Sequence, residues 1–112
     1  MKALVYDDYC ELSGMRIVEM PDPEPGPDDV LVEVHAAGIN PIDWKVRAGG
    51  TYGEIESFPY ILGRDFSGVV AAKGDASVDL EVGQPVFGVL APGRDATYAE
   101  KVAEKASIVC PK

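Results

Sequence analysis

The segment "DVLVEVHAAG", Asp29 to Gly38, alternates with a period of two. Val30, Val32, Val34 and Ala36 fall on one face of an extended chain, and Leu31, Glu33 and His35 fall on the other. That pattern restricts the segment to a strand and makes it the clearest one in the sequence. Similar short runs recur: "KALVY" at residues 2–6, "MRIVEM" from Met15 to Met20, and "FSGVVAAKG" from Phe66 to Gly74. "QPVFGVL", "ATYAEKVA" and "ASIVC" follow, broken by Gly, Pro and Asp. Six or seven short strands at such intervals predict an all-β barrel or sandwich. The glycine inside "FSGVV" marks a bend or a place where a neighbouring backbone comes close.

Between Pro21 and Pro27, "PDPEPGP" fixes φ at four prolines and removes their N–H groups, so no ladder can form there. The stretch is a stiff loop within one domain. A chain of 112 residues with 46% hydrophobic content suffices for one core, and residues 1–112 are expected to form a single domain. The net charge of −9 repels polyanions, which argues against nucleic acid and anionic membrane as partners. No window approaches the roughly 18 apolar residues of a membrane span, and "MKALVYDD" lacks the apolar length of a signal peptide. Cys10 and Cys110 stand alone, without metal-ligand spacing, and read as free thiols in a reducing compartment. The expectation is a cytoplasmic protein. His35, the single histidine, reads as a half-exposed strand residue with no ligand role.

One helix interrupts the strands, in "GINPIDWKVRAGGTY". Asn40 is an N-cap whose side-chain oxygen can accept an orphan N–H, Pro41 suits the first helical position, and Asp43 favours the positive end. Gly49 or Gly50 ends the helix after about two turns. Asp43 and Arg47, four apart, are expected to pair on its surface. By these residues alone the segment turns a corner, with Lys45 solvated, Trp44 a partly buried anchor and Tyr52 packed on a loop.

The order of the pieces carries more than any one of them. A strand ending in "AAGINPIDWKVRAG", then "FPYILGRDFSGVV" read as a Pro-containing loop leading into a strand, "VGQPVFG" and "TYAEKV" together resemble the N-terminal GroES-like catalytic domain of medium-chain dehydrogenases/reductases. "NPIDWK" is similar to the zinc-independent branch of quinone oxidoreductases and enone reductases. The resemblance runs from "MKALVY" to "SIVCPK" and implies a mainly β, partly open GroES-like barrel with one or more short helices. Zinc members have Cys at the place of Asn40 and a His-Glu pair at Arg64-Asp65, so no residue here is expected to bind metal. Arg64 and Asp65 read instead as an ion pair opening a strand. Gln84-Pro85 departs from the family's usual Asp-Arg and is expected to alter only a surface turn.

The resemblance implies reduction of a quinone or an α,β-unsaturated carbonyl by NADPH. It assigns catalytic roles to Lys45 and Tyr52 and cofactor-binding roles to Asn40 and Lys45. An ammonium can bond a ribose hydroxyl and also stabilise charge on a substrate oxygen. No GxGxxG turn in a βαβ unit occurs in these residues. The chain therefore reads as the N-terminal domain of a longer oxidoreductase. It would dock on its own Rossmann domain, with little NADPH binding or activity alone and a homodimer as the full-length assembly. The alternative is a free-standing GroES-like barrel acting as a binding or co-chaperone module with no catalysis.

Overall fold

The computed structural model describes residues 1–49, 58–76, 79–91 and 96–112. Its strands form two antiparallel sheets. The smaller has the order β2-β1-β4, from β1 (Lys2–Tyr6), β2 (Arg16–Glu19) and β4 (Tyr60–Ile61). The larger has the order β7-β3-β5-β6-β8, from β3 (Asp29–Ala37), β5 (Asp65–Lys73), β6 (Pro85–Val89), β7 (Lys101–Lys105) and β8 (Val109–Pro111). It curls into a half-barrel, as expected of a GroES-like domain.

The core follows from the alternation. Val30 and Val32 of β3, Phe66 and Val70 of β5, Val86 of β6, Val102 of β7 and Val109 of β8 pack into one buried cluster with Leu80 and Leu90. Val34 is half-buried and joins its rim, but Ala36 is exposed, because the β3–β5 register shifts between Val34 and Ala36. A bulge of that kind turns the last residues of the strand off the core face. Gly68 meets its expectation: a Cβ there would lie 2.0 Å from the Glu33 carbonyl oxygen across the β3–β5 pair.

Two segments differ from the sequence reading. Tyr60–Ile61, read as loop, pairs with Tyr6 and Val5 as a two-residue strand, too short for periodicity to reveal. "ATYAEKVA" becomes a strand only from Lys101, because residues 96–100 cross between the sheets. Leu4 donates its N–H to the Tyr98 carbonyl at 2.9 Å, Glu100 donates to the Lys2 carbonyl at 3.0 Å, and Val34 donates to the Glu100 carbonyl at 2.8 Å. Ala96 and Tyr98 donate to the carbonyls of Gly63 and Leu62. This crossing segment ties β1 to β3.

The helix α1 (Pro41–Ala48) leaves the end of β3 with Pro41 at its start and ends at Gly49, whose φ of 86° suits glycine. A Cβ at Gly49 would lie 2.7 Å from the Tyr9 ring. Tyr9 stands edge-on to Phe58, and Phe58 stands edge-on to Tyr6, so the helix end rests on an aromatic cluster beside β1. Cys10 and Cys110 are free thiols. Gln84 and Pro85 form a turn into β6, where the Gln84 side chain accepts the Glu81 N–H.

Candidate functional site

Two carboxylates organise the start of α1. Asp43, only 4% exposed, accepts the Asn40 N–H at 2.9 Å and the Tyr98 hydroxyl at 2.6 Å, both on Oδ2. Its own N–H donates to the Asn40 carbonyl at 2.9 Å, completing a capped first turn. Asp65, at the start of β5, accepts the Gly38 N–H at 2.6 Å on Oδ1 and the Asn40 Nδ2 amide at 2.9 Å on Oδ2. A Cβ at Gly38 would lie 2.2 Å from Asp65 Oδ1, so glycine is what permits this approach. The end of β3, the helix, the start of β5 and the crossing segment thus meet in one clasp.

The clasp corrects two sequence expectations. Asp43 does not serve a surface pair with Arg47: it is buried under Tyr98, while Arg47 Nε donates to the Cys10 carbonyl at 3.2 Å and Nη1 lies 3.7 Å from Met15 Sδ. Arg64 and Asp65 do not open β5 as an ion pair. Arg64 Nη2 donates to the Leu90 carbonyl at 2.9 Å, and the Asp65 oxygens face Gly38 and Asn40. Arg64 lies just before β5 and Asp65 is its first residue, and their side chains engage different partners.

Asn40 and Lys45 sit at the start and middle of α1, both half-buried. The Asn40 amide nitrogen is engaged by Asp65, so this residue holds the loop into the helix. Lys45 Nζ lies 5.6 Å from the centroid of the Trp44 ring, within cation–π range. Trp44 is 52% exposed and is no core anchor. Tyr52 lies outside the described residues. Among the described residues no group of three or more His, Cys, Asp or Glu side chains could hold a metal ion. His35 is exposed, with Nε2 3.6 Å from Glu33.

Tyr98 is the member of this site that sequence reasoning did not single out. Burial, then its hydrogen bond to Asp43, and the charges of Asp43 and Asp65 push its phenol well above the usual tyrosine range. It therefore remains a donor at neutral pH. Nothing in "ATYAEKVA" announces this, because the partner is 55 positions away. Asp43 did leave a signal: Asn followed three residues later by an acid is a capping-box spacing.

A strand leading through a glycine to a clasped helix, laid on a half-barrel, is a recognisable domain plan. Residues 26–111 match the model of the alcohol dehydrogenase GroES-like domain family. The chain belongs to this family. Relatives of this GroES-like domain include a trans-enoyl reductase of Fusarium mangiferae, 40% identical over 102 residues that make up 88% of the chain and 25% of the relative. Another is the chloroplastic NADPH-dependent alkenal/one oxidoreductase of Arabidopsis thaliana, 37% identical over 91 residues, or 78% of the chain and 23% of the relative. Among solved structures, the quinone oxidoreductase of Coxiella burnetii superposes with a TM-score of 0.93 at 33% identity, covering 100% of this chain and 37% of that one. The GroES-like domain thus spans a quarter to about a third of the proteins it matches.

Proposed function

We propose that this domain is the substrate-side part of a longer oxidoreductase that uses NADPH to reduce quinones or α,β-unsaturated carbonyls without zinc. The observation that carries the reading is the clasped helix. It carries half-buried Lys45 beside Trp44, which is 52% exposed, and it follows Ile39, which is 87% exposed. Exposed apolar surface beside an ammonium suits a conjugated carbonyl and a second domain that closes over it. The names of the relatives, a trans-enoyl reductase and an alkenal/one oxidoreductase, support the same substrate class.

The residues present fit one end of a nicotinamide dinucleotide. Lys45 can donate to a ribose hydroxyl, whereas a pyrophosphate beside Asp43 and Asp65 would meet two carboxylates. Phosphate binding would then belong to a Rossmann domain outside these residues, and the domain alone would bind NADPH little. When bound, the nicotinamide supplies the hydride. Lys45 donates a hydrogen bond to the substrate oxygen as negative charge develops there. Asn40 holds the entry to the helix through Asp65, and the family resemblance supports its position on the cofactor side. Tyr52 would line the cavity.

A zinc site does not fit the donors. Where a zinc enzyme needs Cys and His, Asn40 is an amide engaged with Asp65 and Arg64 is a cation. Free thiols suit a reducing compartment such as the cytoplasm, and a homodimer of the full-length protein is part of this reading. A free-standing binding barrel fits less well, since the relatives above are named for reductase and oxidoreductase activities.

Steady-state kinetics of full-length Lys45→Ala, in chelator-treated buffer with NADPH and an enone or quinone, test the proposal. The variant is expected to lose about 2–4 kcal/mol of transition-state stabilisation with its melting temperature unchanged. Unchanged kcat/KM would return Lys45 to a solvated surface lysine, and loss of wild-type activity on chelation would overturn the zinc-free assignment.

A further inference from the structure

Asp43 is the single residue of α1 that is buried, and the apolar Ile42 and Val46 are only half-buried. Hydrogen bonds therefore set the pose of this helix more than core packing does. Its C-terminal end is tied by the Cys10 N–H to the Arg47 carbonyl at 3.0 Å and by Gly49 against Tyr9. At its N-terminal end the buried contact is Asp43 with Tyr98. Tyr98 is itself immobilised from both sides of the crossing segment: its N–H donates to the Leu62 carbonyl at 3.0 Å, and its carbonyl accepts the Leu4 N–H at 2.9 Å. The phenol is thus a fixed post projecting from the scaffold.

We propose that Tyr98 is a positioning residue for the site: through its hydrogen bond to Asp43 it fixes the first turn of α1, and with it the direction from which Lys45 meets the substrate. The inference rests on the role proposed for Lys45. A short hydroxyl-to-carboxylate bond is among the stronger neutral-to-charged contacts, and its acceptor, Asp43, is buried. Replacing Tyr98 by Phe keeps the ring and deletes the donor, which leaves Asp43 Oδ2 with the Asn40 N–H alone and releases the turn.

Two measurements on Tyr98→Phe test this. By amide hydrogen exchange of this chain, residues 45–48 should exchange about tenfold faster than in the wild type, while Val32 and Val70 in the sheet stay unchanged. In the full-length protein kcat should fall about tenfold with the KM for NADPH unchanged. Asp43→Asn, which retains an oxygen for the phenol, should lose less than Asp43→Ala in both assays, and it carries the test if Tyr98→Phe does not fold. Unchanged helix exchange, or equal acceleration in helix and sheet, would overturn the proposal. Faster helix exchange with unaltered kcat would overturn it too. If Lys45→Ala is inert while the helix loosens in Tyr98→Phe, the reading of Lys45 fails and the hold of Tyr98 on α1 stands.

Discussion

Asp43 shows how much one side chain can carry: the same oxygen caps a helix and receives a phenol from another part of the chain. The first role is written locally, in the three-residue spacing from Asn40, whereas the second depends on Tyr98 arriving by tertiary folding. The pair has a pH consequence with a definite sign. Tyr98 is raised in the folded state above its unfolded value, so the folded state holds the proton more tightly. The stability it contributes is complete below about pH 10, the ordinary tyrosine value, and is lost as pH rises from there toward the folded value. The difference in melting temperature between wild type and Tyr98→Phe should therefore narrow steadily above pH 10. Subtracting the variant removes the other tyrosines, and a difference that stays constant to pH 12 would contradict the assignment.

At the scale of elements, the pairing of β3 with β5 brings Gly38 and Asp65 together as well as building the core. Gly68 is the residue that lets these strands approach. Gly68→Ala would force a Cβ to within 2.0 Å of the Glu33 carbonyl oxygen, where neither backbone can yield without disturbing the ladder. The substitution is expected to destabilise the domain by about 3 kcal/mol, read as a shift of the urea midpoint with unchanged slope. A loss under about 0.5 kcal/mol, typical of a neutral surface change, would mean the pair is looser than described. The glycine was legible as a close approach, because a strand rarely leaves a side chain out without cause. The end of β3 was not: Ala36 belongs to the apolar alternation yet is exposed, since a bulge set by pairing with β5 turns the strand. The boundaries of β7 escaped for a related reason. Residues 96–100 have strand-like composition but bond alternately to β1, to β3 and to residues 62–63.

For the whole molecule, the buried cluster gathers side chains from all five strands of the larger sheet, and the crossing segment joins that sheet to the smaller one. The buried cluster is assembled entirely from the described residues. The chain is therefore expected to fold alone, with well-dispersed amide NMR signals. A collapsed, poorly dispersed spectrum of the purified chain would reject this. By itself the sequence determined the strand periodicities and the helix between its caps Asn40 and Gly49, because alternation, capping and turn chemistry are properties of neighbouring residues, and the order of its segments pointed to the family. The roles proposed for Asn40 and Lys45 rest on the resemblance of that sequence to the family. Only the tertiary structure decided that Asn40 is held by Asp65, that Asp43 is buried rather than paired with Arg47, and that Tyr98 reaches the helix. Those contacts join residues 25 and 55 positions apart, and their geometry exists only once β5 and the crossing segment have been brought to the start of the helix.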